Sequence, residues 1–202
     1  MKKTIVLLIA AFGLPAAAHA QSSANVASRG DGNHLLIDQS AANGAQINID
    51  QIGDGNQIHL KQVSTGQAAA LRIGGLGNTV QAHQQGPGTN ALTLTVDGQD
   101  NSSQLEQFAF AGGSNVMTVG QWGSGNSATV AQTAYAGANT LSLQQNGNDN
   151  IASLAQNGDG NSLALAQNGN ANSAAISQNG NGLGFSLTQS GGAAIAITQT
   201  AP

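Results

Sequence analysis

The side chains that could do chemistry in this sequence are histidines and carboxylates. The 202 residues contain four His, nine Asp and Glu, and no Cys. Zinc ligands come at short, characteristic spacings, and nucleophilic catalysis needs a base beside the nucleophile. His34, His59 and His83 lack such spacing and fall on places that we expect to face solvent. We therefore predict no catalytic residue, no metal site and no cofactor, and interpret the chain as a non-enzyme.

The glycine-rich turns are the other candidate for binding chemistry. Gly-Asp-Gly-Asn at 53–56 and at 158–161 resembles the calcium-binding turns of β-rolls. Those turns repeat every nine residues with regular Asp, whereas here the spacing is mostly 11 and most turns lack Asp. Phosphate-binding loops end in Lys-Ser or Lys-Thr, and neither pair follows these turns. We interpret the turns as structural.

A repeat organises most of the chain. The unit reads N-x-φ-x-φ-x-Q, where φ is apolar, and a link of about four residues with Gly at its second place follows. The closing place falls at 39, 51, 62, 73, 84, 96, 107, 121, 132, 145, 156, 167, 178, 189 and 199. Gln closes thirteen of these fifteen units, and the exceptions are Ile73 and Val96. Since Asn, both φ places and Gln lie two residues apart, they share one face of a strand.

This pattern predicts an all-β fold, a two-sheet β-solenoid of amyloid type with two strands per rung and about seven and a half rungs. A buried amide must be paired, and identical amides stacked at the strand spacing can bond to the rungs above and below. Ile73 and Val96 are expected to stack and to interrupt the ladder together. The predicted amide ladder, which we also expect to serve self-assembly, comprises Gln39, Gln51, Asn56, Gln62, Asn78, Gln84, Asn101, Gln107, Asn126, Gln132, Asn139, Gln145, Asn150, Gln156, Asn161, Gln167, Asn172, Gln178, Gln189 and Gln199.

The beginning of the chain reads as a secretory signal. Lys2 and Lys3 precede an apolar run, Thr4 to Leu14, and Ala18 and Ala20 mark a small-x-small cleavage site. We predict a signal peptide over 1–20, a short segment over 21–32 that could direct export, the solenoid over 33–199 and a tail over 200–202. No later apolar run reaches the 18 or so residues of a spanning helix, and Lys and Arg are scarce. We therefore expect a secreted chain that is not membrane-embedded and binds no nucleic acid.

The pattern Q-x-G-x-x-N-x-φ-x-φ-x-Q after a signal peptide resembles the curlin repeat of curli fibre subunits, from Asn33 to Gln199. The resemblance implies a functional amyloid subunit that passes a dedicated outer-membrane pore and polymerises on a nucleator subunit. It also implies a cell-surface fibre, or fimbrium, for biofilm matrix, adhesion and colonisation. The chain departs from the family in lacking a Gly-rich leader, in having more than the usual five or so repeats, and in two longer links, 108–114 and 133–138.

Three interpretations of function remain from the sequence. The repeat starts soon after the predicted cleavage site and leaves no space for capping repeats, so head-to-tail addition to copies of itself is expected. Scarce basic residues favour a major subunit over a nucleator. A monomeric β-solenoid binding module, such as an ice-binding protein, would need a flat array of outward Thr-x-Thr, and Thr93-Leu94-Thr95 is the one such pair that lies wholly within 33–199. Phe108, Phe110, Trp122 and Tyr135 are expected in links, either as an exposed strip or as corner packing.

Overall fold

The computed structural model describes residues 6–10, 22–39 and 42–201, and in them the chain forms strands joined by turns and bends. Strict two-residue alternation of inward and outward side chains favours strands over helices. Accordingly, the described residues contain no helix, and thus none long and apolar enough to cross a membrane. The strands are β1 Val6–Ala10, β2 Ser23–Arg29, β3 His34–Asp38, β4 Gln46–Asp54, β5 Gln57–Gln62, β6 Gln67–Leu76, β7 Thr79–Gln85, β8 Thr89–Gln99, β9 Ser102–Ala109, β10 Ser114–Ser124, β11 Ser127–Ala134, β12 Ala138–Asn146, β13 Ile151–Asn157, β14 Ser162–Asn168, β15 Ser173–Asn179, β16 Gly184–Ser190 and β17 Ala194–Thr200.

Consecutive strands alternate between two parallel sheets. One sheet has nine strands in the order β1-β3-β5-β7-β9-β11-β13-β15-β17, and the other has eight, in the order β16-β14-β12-β10-β8-β6-β4-β2. Strands within a sheet pair in register, so that Gln107, Gln132 and Gln156 stand opposite one another. The sixteen strands β2–β17 therefore form a β-solenoid of about eight turns, which confirms the predicted fold class.

The solenoid begins before Asn33, where the sequence pattern placed its start. β2 pairs with β4, with Ala24 opposite Ile47, Val26 opposite Ile49 and Ser28 opposite Gln51. It is thus a further unit whose closing place holds Ser instead of Gln, and Ser22 stands where other units have Asn. The segment 21–32 escapes the sequence pattern because it has neither amide at the marking places.

Most of the predicted signal peptide, including Ala18 and Ala20, lies outside the described residues. Its described part is β1, which pairs in parallel with β3 so that Leu7 stands opposite Leu35 and Ile9 opposite Ile37. The predicted tail over 200–202 begins inside β17, which ends at Thr200.

The core lies between the two sheets and consists of the φ places of every unit. Leu60, Leu94, Leu143 and their counterparts are almost fully buried. Burial of this apolar surface is the main favourable contribution to folding. At the C-terminal end, Phe185, Leu187 and Ile197 pack on the core but remain only partly buried. The inner face of the last rung therefore stays in contact with solvent.

Stacked turns bring backbone close to backbone at the corners. Gly75 has φ +99°, a conformation that side chains disfavour. A Cβ atom at this position would overlap the carbonyl oxygen of Gly98 in the next rung, and one at Gly98 would overlap that of Gly123. The glycines of these corners are therefore required by the rung spacing as well as by the turn.

We predict that Gly75→Ala lowers the free energy of unfolding of the soluble chain by about 2 kcal/mol, because it combines a strained φ with a steric overlap. Gly184→Ala is the matched control, since Gly184 has no positive φ and no atom within 4 Å of its built Cβ. Urea unfolding of the two variants measures both. Equal stability of the two variants would contradict the close stacking of corners.

Candidate functional site: the interior amide columns

A column of glutamines runs through the nine-stranded sheet. Each Nε2 donates to Oε1 of the glutamine in the next rung, with distances between 2.8 and 3.1 Å. The column therefore has a direction, with donors pointing towards the C-terminal rung. Its members are Gln39, Gln62, Gln84, Gln107, Gln132, Gln156, Gln178 and Gln199.

The second proton of these amides crosses to the opposite sheet. Gln84 Nε2 donates to the carbonyl oxygen of Ala68 at 2.9 Å, and Gln107 Nε2 to that of Ala91 at 3.1 Å. Both protons of one amide are thus used, one along the solenoid and one across it. Because a backbone carbonyl only accepts, this second bond fixes which way each amide points. The column therefore ties the two sheets together.

The eight-stranded sheet has a glutamine column with a gap. Ser28 Oγ donates to Gln51 Oε1, and the contacts Gln121 to Gln145, Gln145 to Gln167 and Gln167 to Gln189 measure 2.8–2.9 Å. Between these two parts, Ile73 and Val96 stand directly opposite each other. The two apolar residues thus occupy adjacent rungs of one column, as their spacing predicted.

Both amides that border the gap find other partners. Gln51 Nε2 donates to the carbonyl oxygen of Asn56 at 3.0 Å. Gln121 Oε1, which has no glutamine in the preceding rung, accepts from Ser103 Oγ at 2.7 Å. Ser103 is fully buried on β9, where the repeat has its first φ place. Ser103 was not identified from the sequence. The signal was available, because Ser103 is a polar residue at an inward place in the unit that follows Val96, where the closing Gln is missing.

Asparagines form a second column at the other edge of the nine-stranded sheet, and its direction is reversed. Asn56 Oδ1 accepts from both the backbone N–H and Nδ2 of Asn78, at 3.0 and 2.9 Å. Asn78 Nδ2 also donates to the corner carbonyl of Gly98 at 3.0 Å. Each asparagine thus holds the next rung and caps a turn. The column comprises Asn33, Asn56, Asn78, Asn101, Asn126, Asn150 and Asn172.

The matching column in the eight-stranded sheet starts at Gln67, which accepts from Asn90 Nδ2 at 2.7 Å. It continues through Asn115 and Asn139 to Asn161, whose backbone N–H donates to Asn139 Oδ1 at 3.0 Å. Of the twenty side chains of the predicted ladder, nineteen are buried and Gln199 is half-buried in the last rung. The structure therefore brings them together in four columns, two in each sheet.

A corner carboxylate organises the longer link between β11 and β12. Asp159 Oδ1 accepts from the backbone N–H groups of Tyr135, Ala136 and Gly137 at 2.8–3.0 Å. These bonds, that from Gly137 most strongly, lower the pKa of the Asp159 carboxyl below its ordinary value because they favour its charged form. Asp159 thus accepts the N–H groups that the longer link would otherwise expose.

The aromatic residues fall into two groups. Phe108 meets Phe110 edge to face at 4.7 Å between ring centroids, and Phe110 stacks on Tyr135 at 5.0 Å. Phe110 and Tyr135 lie at corners, whereas Phe108 and Trp122 belong to β9 and β10, so the prediction that all four occupy links is wrong for two of them. Phe110 and Tyr135 are nevertheless exposed.

The outer face of the nine-stranded sheet carries a row of charge. Asp38, Lys61, His83 and Glu106 stand opposite one another on successive strands. His83 is half-buried, and its Nε2 has no hydrogen-bond partner, so it is less solvated than expected. Burial, and then the charge of Lys61, lower the pKa of His83 below its ordinary value. No group of three His, Asp or Glu suited to a metal ion occurs in the part of the chain that the structure describes.

We predict that Ser103→Ala destabilises the soluble chain by about 1–3 kcal/mol, because Gln121 Oε1 loses its donor in a buried place. This loss of stability should be smaller in an Ile73→Gln/Val96→Gln background, because the amide introduced by Val96→Gln can donate to Gln121 Oε1. Urea unfolding of the four chains of this cycle measures the coupling. Ser102→Ala, at the exposed neighbouring place, serves as control. An equal cost of Ser103→Ala in both backgrounds would contradict the compensation.

Comparison with known proteins gives one match. Residues 161–191 match the family model of the curlin associated repeat. They contain β14, β15 and β16 with their glutamines Gln167, Gln178 and Gln189. The comparisons with curated proteins and with solved structures found no match. The matched repeat and the β-solenoid fold indicate a structural protein, and the same amide contacts continue through the strands before the matched segment. The match supports a curlin-type repeat in this part of the chain.

Proposed function

We propose that this chain is a secreted structural subunit that polymerises with copies of itself into extracellular, curli-like amyloid fibres. The observation that carries the proposal is the uncovered C-terminal rung. β16 and β17 are the last strands of their sheets, and the inward side chains Phe185, Leu187 and Ile197 are only partly buried. An exposed strand edge over an open apolar column is a template for another strand.

The occupant that fits this edge is the first rung of a second copy. All described strand pairs are parallel and in register, so a copy placed head-to-tail continues both sheets without changing strand direction. Such a contact does not close on itself and therefore yields a filament. In a mature chain that starts near Gln21, β1 is removed and β3 becomes the N-terminal edge of its sheet.

The role of the fibre follows from the repeat family and from the predicted signal peptide. We propose that the fibres contribute to biofilm matrix, adhesion and surface colonisation. Export through a dedicated outer-membrane pore and growth on a nucleator subunit belong to the same proposal. The low number of basic residues favours the major subunit over the nucleator.

The alternative of a monomeric ice-binding module receives less support from the outer faces. Thr93 lies between Ala70 and Thr118, and Thr95 lies between Arg72 and Gly120. An ice-binding face would need threonine pairs on adjacent rungs. The outward threonines thus do not extend into a flat array around this pair.

We predict that the mature chain assembles with a rise in thioflavin fluorescence and that the product diffracts at the strand spacing of 4.7–4.8 Å. Ile197→Lys should slow fibre growth at least roughly tenfold, because a charge at an inward place would be buried by the next copy. Ala196→Lys is the matched control, since it adds the same charge at an outward place of the same strand. A chain that stays monomeric by size exclusion, without fluorescence, would overturn the proposed function.

A further inference from the structure

The last rung lacks an amide at the first place of both of its units, at Leu183 and Ala193, whereas the inner rung that contains β4 lacks it in one sheet only, at Ala45. We infer that the contact between two copies is the weakest step along the fibre, because it lacks this amide oxygen in both sheets at once. This inference rests on the proposed fibre and concerns the surface that β16 and β17 present to a second copy.

Inside the chain, each step of the nine-stranded sheet from β3 to β17 includes an asparagine oxygen as acceptor. Asn150 Oδ1 accepts from the backbone N–H of Asn172 at 3.0 Å and from its Nδ2 at 2.9 Å. The same two bonds link Asn126 to Asn150. The oxygen therefore satisfies the N–H of the buried asparagine that directly precedes the following strand.

The two asparagine columns end at Asn161 and Asn172, one rung before the rung formed by β16 and β17. Ala193 N–H donates to Asn172 Oδ1 at 3.3 Å, and Leu183 N–H donates to Asn161 Oδ1 at 2.9 Å. Both residues thus use the oxygen of the rung before them. Neither has a side-chain oxygen to offer to the rung after them.

The second copy would bring Asn33 over Ala193 and Ser22 over Leu183, if the register of β15 on β17 and of β2 on β4 continues. The N–H of Asn33 and that of Ser22 would then face a methyl group and a Leu side chain. A buried N–H without a partner is costly, and the cost arises in both sheets.

The apolar columns and one glutamine column can continue from one copy to the next. Gln199 Nε2 donates one proton to Gly184 O at 3.4 Å, which leaves its other proton for Gln39 Oε1 of the next copy. Ile197 would cover Ile37, and Leu187 would cover Val26. The contact between copies therefore keeps the apolar columns and the glutamine column of the nine-stranded sheet. In the eight-stranded sheet Gln189 would meet Ser28, which stands at the glutamine place of the first unit.

This arrangement predicts that fibres release whole folded subunits more readily than a subunit loses a rung. Ala193→Asn restores the missing oxygen in the nine-stranded sheet. It should lower the concentration of free subunit that remains after assembly roughly tenfold, the effect of one satisfied donor plus one added hydrogen bond. Leu183→Asn combined with it should lower that concentration further.

The test measures free subunit by sedimentation of assembled parent, Ala193→Asn and Ala194→Asn chains. Ala194 is the matched control because it is exposed at the adjacent outward place. Urea unfolding of each soluble chain is measured in parallel, since Asn at 193 can also bond to Asn172 within one copy. The inference is upheld if the free subunit concentration falls more for Ala193→Asn than for Ala194→Asn. The fall, converted to a free energy, must also exceed the change in the unfolding free energy of the Ala193→Asn chain.

Two outcomes would overturn it. If parent fibres form and Ala193→Asn leaves the same free subunit as Ala194→Asn, the inference is wrong while the proposed function stands. The inference is also wrong if the change in the unfolding free energy of the Ala193→Asn chain accounts for the whole fall in free subunit concentration. If the parent forms no fibre at all, the proposed function fails and this inference fails with it.

Discussion

The structure depends on the hydrogen bond between one buried amide and the same amide in the next rung. Buried amides are costly when any of their polar groups lacks a partner, and a glutamine offers two protons and an oxygen. In this solenoid one proton reaches the next rung, as from Gln132 to Gln156 at 2.8 Å, and the other reaches a carbonyl of the facing sheet. Because the spacing of parallel strands equals the spacing that such a bond requires, only parallel, in-register rungs satisfy every amide.

The corners follow from this constraint. A fixed rung height forces the turn backbones into close approach, which Gly75 and Gly98 permit because they carry no Cβ. Where extra residues occur, after Gln107 and Gln132, they form corners that keep the strands aligned. The exposed N–H groups of the second of these corners are collected by Asp159. Insertions are therefore accommodated outside the columns, which remain in register.

Much of the fold is predictable from sequence because the signal recurs. The two-residue alternation identifies the inward face, and the period of 11 places like residues on alternate sheets, which is why Ile73 and Val96 were expected to meet. Ser103 was not predicted, because its bond to Gln121 joins the two sheets and depends on their separation. Ser22 and Ser28 were missed because hydroxyl groups replace both amides in the first unit. The half-burial of His83 was not predicted, because a one-strand pattern does not describe the residues opposite it, Lys61 and Glu106.

The central claim is that interior glutamine amides are bonded from rung to rung in the soluble chain. Hydrogen exchange of side-chain amides, followed by NMR on the assigned mature chain, tests it most directly. Gln84 and Gln156 should exchange on the slow timescale of the strand backbone around them, whereas the exposed Gln81 and Gln144 should exchange freely. Exchange of the interior amides as fast as that of Gln81 and Gln144, while the strand backbone stays protected, would contradict the account.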